Sequence, residues 1–170
     1  ASSPHLVKIA NSFVQTGGDS VTIISIHEPS KSLSKKVCVL TPRPLLLNFS
    51  YFNLVFITSL LKKLNPDRVA VFFASGYGIS TMLFGVRKFA LAVWGSDIME
   101  FPNRGMLHKL LIRRVLKKSA VVIATSRVLQ KTVVDLTGGD VLSKVVPIGV
   151  NVTNFRPRKF VANEASGDAR

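Results

Sequence analysis

Apolar residues recur at helical spacing in the first stretch of the chain. In SSPHLVKIANSFVQTGG, Leu6, Ile9, Ala10, Phe13 and Val14 share one face, behind two serines and Pro4 and ahead of Gly17 and Gly18. That spacing predicts an amphipathic helix with capping serines, an early proline and a glycine stop. The period then changes. SVTIISI, Ser20 to Ile26, is β-branched, too short for a helix, and apolar enough to predict a strand buried on both faces. KVCVLT predicts a second strand, followed by a turn at Pro42 and Pro44 and a long helix from Asn48 to Leu64 that ends at NPD.

The alternation continues to the end of the patterned region. RVAVFFA reads as a strand, SGYG as a turn, ISTMLFGV as a short helix, FALAVW as a strand and RGMLHKLLIRRVLKK as a helix. AVVIAT, SRVLQKTVVDLTGG and KVVPIGV close the series as strand, helix and strand. Such a series predicts an α/β fold: a Rossmann-like parallel sheet in three layers, with helices on both faces. It opens on a helix, with Ala1 to Ser3 where the tail of a preceding strand would stand, so a first strand is expected to be missing from the chain. Residues 1–160 are expected to form one domain. The small, polar VANEASGDAR, residues 161–170, is expected to be a linker or disordered tail.

Composition narrows the class. Hydrophobic residues at 47% and charged residues at 19% argue against a disordered chain. The longest apolar run, Leu45 to Leu61, is interrupted by Asn48, Ser50, Asn53, Thr58 and Ser59, which suits a buried helix better than a membrane span. Cys38, the single cysteine, is expected to be an inert core residue, and with no secretory signal in view the expected setting is cytoplasmic. Lys and Arg number 23 against 9 Asp and Glu, a net charge of +14. That surplus draws polyanions and anionic surfaces: nucleic acid, an acidic membrane or phosphorylated small molecules.

In an open parallel sheet, ligands bind beyond the carboxyl ends of the strands, so the turns there carry the candidate chemistry. ASSPH, at the first helix start, offers backbone N–H groups and the hydroxyls of Ser2 and Ser3 to an anion, or it simply caps the helix. His5 stands beside it as a neutral hydrogen-bonding group or a surface residue. Gly76 and Gly78 let the backbone approach a ligand closely, and Tyr77 adds a ring with a polar tip. In LAVWGSDIMEF, Asp97 follows a buried strand behind Gly95 and Ser96, with Trp94 as an apolar wall. There a carboxylate can accept hydrogen bonds from hydroxyls, act as a general base, or cap the next turn. Glu100 is a second acidic candidate. Lys109, Arg113, Arg114, Lys117 and Lys118 give the fourth helix a basic face for anionic headgroups or for water. No Walker lysine or dinucleotide fingerprint follows a strand, and His5, His27 and His108 lack metal-ligand spacing.

In order and spacing, NPDRVAVFFASGYGI, LAVWGSDI, VLKKSAVVIATSRVL and KVVPIGVNVTNFRP resemble the N-terminal domain of retaining glycosyltransferases of the GT-B architecture, family-four type, from Pro4 to Pro157. The resemblance implies an acceptor-side half of a hexosyltransferase, facing a C-terminal domain that binds the nucleotide-sugar, with a lipid-linked or polysaccharide acceptor. It implies no resident cofactor and no nucleic acid. WGSDI matches the family's HGSD motif, with Trp94 in place of the usual His, so Asp97 carries over as the catalytic candidate and the imidazole does not. Ser2, Ser3 and His5 fall on the donor-facing loop, without the glycines often found there; Asn151 stands where Asp is common. Because no donor domain follows, the isolated chain is expected to be inactive, a peripheral protein on the inner face of the membrane at most. A nucleic-acid module and a non-catalytic subunit that pairs with a separate donor-binding protein are the alternatives.

Overall fold

A computed structural model describes residues 3–16, 20–41, 55–83, 85–86 and 88–149, with side chains left out at 55–59. The expected tail at 161–170, the closing segment from 150 onward, Ser2, and the first part of the helix predicted from Asn48 lie outside the described residues. Strands and helices alternate as α1 (Pro4–Gln15), β1 (Thr22–Ile24), β2 (Cys38–Leu40), α2 (Val55–Leu64), β3 (Ala70–Phe72), α3 (Ile79–Leu83), β4 (Ala90–Val93), α4 (Met106–Lys118), β5 (Val121–Ala124), α5 (Arg127–Thr137) and β6 (Ser143–Val145). Every ladder is parallel. The domain is therefore Rossmann-like α/β.

One continuous sheet was the expectation; the described strands form two. β3, β4, β5 and β6 lie side by side in chain order, and β1 pairs with β2 alone. The cores divide in the same way. The larger one is built on the central strands: Phe89, Leu91 and Val93 lead through β4, Val122 and Ala124 lie on β5, and Ile112, Val115 and Leu116 come from α4, all with no exposure. Ala10, Ile23 and Val37 form the smaller core beneath α1.

Position in these sheets explains two corrections. β1 was expected to be buried on both faces, yet only Ile23 is buried and Thr22 is exposed, because β1 has one strand neighbour among the described residues. Cys38 was expected in the core and is exposed; along β2 the buried side belongs to Val37, and successive side chains point to opposite faces.

The helix ends follow local chemistry. Ser126 caps α5 by accepting from Leu129 N–H at 3.3 Å, and Gly138 closes it in the left-handed region at φ 76°. At α1, Ser3 holds the cap position with extended backbone, but its hydroxyl makes no capping bond; its carbonyl accepts from Val7 N–H at 3.0 Å.

Candidate functional site

The carboxyl ends of β3 and β4 both run into π turns, Ala74–Gly78 and Ser96–Glu100. These wide turns expose backbone groups that an α-helix would consume, and they are frequent at functional positions. The SGYG segment, predicted as a tight turn, is thus the first of these turns and continues into α3. Gly78 explains its close seating: a Cβ there would lie 3.0 Å from Val115 Cγ1 and 3.1 Å from the Phe73 carbonyl. Phe73, just before the turn, holds φ 76°, a costly conformation for a bulky residue. Sequence reading missed that residue, and nothing in FFAS signals it.

Asp97 ties the two strand ends together. Its Oδ1 accepts from the N–H groups of Trp94 and Gly95, at 3.0 Å each, and its Oδ2 accepts from Ala74 N–H at 2.9 Å. The residue is only 1% exposed. Buried this way, the carboxylate is out of reach of an acceptor hydroxyl unless the loop around it opens. The cap on the next turn is not what this carboxylate builds: no side chain caps Ser96–Glu100, and its bonds run back to Trp94 and Gly95 and across to Ala74. Gly95 makes the bend possible at φ 126°.

What faces outward is the loop that Asp97 holds. Trp94 is half-buried and stacks on His5, with ring centroids 5.1 Å apart and an interplanar angle of 26°, while Phe72 leans on it from 6.2 Å. The Trp94 Nε1 atom is buried with no hydrogen-bond partner among the described residues. The start of α1 and the loop after β4 are therefore in contact. Ser3, Ser96 and Glu100 are exposed. Tyr77 Oη accepts from Ile26 N–H at 3.1 Å, joining the first π turn to the end of β1.

The basic face of α4 stands apart from this wall. Lys117 pairs with Asp140 at 2.8 Å, and that hydrogen bond, then the lysine charge, holds the Asp140 carboxyl below its ordinary value. Lys109, Arg113, Arg114 and Lys118 are exposed without an ion pair among the described residues. An open groove of about 290 Å³ lies between the second π turn, α4 and α5, lined in part by Met99, Asn103, Lys109 and Asp135. It does not include Trp94 or Asp97, which stand at the strand ends. Among the described residues, no three His, Cys, Asp or Glu side chains gather as metal ligands.

A parallel α/β sheet with a built wall at its carboxyl ends defines the class: a Rossmann-like domain of the kind that binds ligands at strand ends. The glycosyl transferase 4-like family model matches residues 1–126, three-quarters of the chain, from α1 through β5. The chain belongs to that family. No curated protein matches it.

Proposed function

We propose that this domain is the acceptor-side half of a GT-B retaining hexosyltransferase, which moves a sugar from a nucleotide-sugar to a lipid-linked or polysaccharide acceptor at a membrane surface. The observation that carries the reading is the clamp by Asp97 on the ends of β3 and β4, which holds Trp94 against His5 in a chain of glycosyltransferase family. In this reading Trp94, Gly95, Ser96, Tyr77 and Glu100 form the acceptor wall, and Ser2, Ser3 and His5 face the donor across the cleft. Asp97 keeps a part in catalysis as a positioning residue: it fixes the wall and leaves the acceptor proton to another group. The nucleotide-sugar is held mainly by a C-terminal partner domain, so this half alone turns over no sugar.

The test joins the chain to a donor-binding domain and follows nucleotide release with and without acceptor. Trp94→Ala should raise the acceptor KM by about tenfold or more, the loss of one aromatic contact, with acceptor-independent donor hydrolysis unchanged. Unaltered acceptor kinetics in that variant would remove the wall from the mechanism.

A further inference from the structure

The outward side of α4 is apolar where a solvent-facing helix should be polar. Ile112, Val115 and Leu116 fill its core side with no exposure, so the opposite face belongs to water. Yet Met106, Leu107 and Leu110 stand on that face, 89%, 66% and 43% exposed. Leu110 is one turn on from both of the others, so the three side chains form one patch. One turn further come Arg113 and Arg114, with Lys109 and Lys118 at the flanks, and Lys117 alone among the helix's cations has an acidic partner in the described residues.

An apolar tip with a collar of free cations has a specific complement. A nucleic acid would engage the cations and leave the tip in water; an apolar protein surface would cover the tip and strand the charges. The boundary of an anionic bilayer receives both, with apolar side chains among the upper acyl carbons and guanidinium groups at the phosphates. A net charge of +14 favours approach to such a surface. No helix of the described residues is long and apolar enough to cross a membrane, and α4 suits a position in the interfacial plane.

We propose that α4 docks this domain on anionic lipid, with Met106, Leu107 and Leu110 entering the headgroup boundary and Lys109, Arg113, Arg114 and Lys118 meeting lipid phosphates. The inference deepens the reading of the domain as one that works at a membrane, and rests on it. Its consequence for that reading is geometric. The segment held by Asp97 runs directly into α4 through the turn Phe101–Arg104, so docking α4 would fix the Trp94 loop relative to the headgroups.

The test is flotation of the full chain with vesicles of equal parts phosphatidylglycerol and phosphatidylcholine, and with phosphatidylcholine alone. Binding should require the anionic lipid and survive in part at about 0.5 M salt, where Coulomb attraction is screened within a few ångströms. Met106→Ser/Leu107→Ser/Leu110→Ser, at exposed positions, should keep the melting temperature and the low-salt binding but lose the salt-resistant fraction. Arg113→Gln/Arg114→Gln should bind about 25-fold more weakly at low salt, about fivefold per cation. A Leu107→Trp reporter should shift to the blue on binding and be quenched by lipids brominated near the headgroup. No flotation, an unquenched reporter, or a triple-serine variant as salt-resistant as the parent would overturn the proposal, as would displacement from vesicles by duplex DNA at equal charge. Flotation as described, with no nucleotide release from the reconstituted enzyme, would defeat the acceptor-half reading and leave lipid docking standing; transfer without flotation would do the reverse.

Discussion

Removing the Asp97 carboxylate should cost stability before it costs chemistry. The side chain is 1% exposed, and it is the acceptor for three backbone N–H groups, those of Trp94, Gly95 and Ala74. Asp97→Ala leaves those donors at the ends of two adjacent strands with no acceptor unless water enters. Hydrogen bonds to a charged group contribute about 1.5–3 kcal/mol each, and an unsatisfied buried donor costs about 1–3 kcal/mol. The three bonds share one side chain and their losses do not add, so the expected penalty is on the order of 3–5 kcal/mol. At roughly 2–4 °C per kcal/mol for a domain of this size, the melting midpoint should fall by about 6–20 °C. Asp97→Asn keeps one oxygen but turns an amide donor toward a backbone donor, so it should lie between Asp97→Ala and the parent. Thermal melts followed by circular dichroism, with urea titrations at neutral pH, measure all three proteins. An Asp97→Ala variant that melts within about 2 °C of the parent, less than 1 kcal/mol on that scale, would show that the clamp is not structural and return the carboxylate to the acceptor.

Four further outcomes follow from neighbouring geometry. Gly78→Ala should cost about 1–3 kcal/mol in urea denaturation, because its Cβ would meet Val115 and the Phe73 carbonyl at 3.0 and 3.1 Å; equal midpoints would refute that packing. Gly95→Ala has room, with Leu129 Cδ2 3.9 Å away, so a loss of about 1–3 kcal/mol there would come from φ 126° alone, and a neutral result would mean that the loop relaxes. Ser126→Ala should cost about 1 kcal/mol by removing the cap on Leu129 N–H, and Ser126→Asp should restore it, as chemical denaturation can measure. Lys117→Gln probes a pH effect. The pairing lowers the folded-state value of Asp140 below its ordinary 3.8, so its contribution is complete above that value and lost as pH falls through the lowered one. The small gap between parent and variant at neutral pH should therefore close in strong acid; a gap that persists there would deny the pair its role.

The alternation of strand and helix was legible because hydrophobic period is a local property, and α5 was readable to both ends from Ser126 and Gly138. Burial on β1 and β2 was not, since a run such as SVTIISI is compatible with one covered face or two, and strand partners far along the chain decide between them. The site divides in the same way. Asp97 stood out in sequence as a carboxylate after an apolar strand, but its partners are backbone N–H groups, which every residue except proline possesses and no pattern marks. The contact of His5 with Trp94 spans three strand-to-strand connections and leaves no spacing signal either. The exposure of Met106, Leu107 and Leu110 was masked by periodicity itself, because Leu107 repeats at helical spacing with Leu111 and Val115, yet it is exposed where Val115 is buried.

On the proposed acceptor-half reading, the buried clamp also constrains the chemistry left to this domain. In an inverting transfer a base on the acceptor side would have to take the hydroxyl proton, and the aspartate best placed by sequence for that work is committed to three N–H donors. In a retaining transfer the departing phosphate of the donor can assist with that proton, so the acceptor half need only hold the hydroxyl in place. A rigid wall then matters more than a titrating one. Two strand ends locked through one carboxylate, a tryptophan backed by His5 and Phe72, and a phenol anchored to Ile26 make such a wall. The proposed retaining chemistry and the structural role of Asp97 therefore support each other: a clamp that proved dispensable for stability would weaken both.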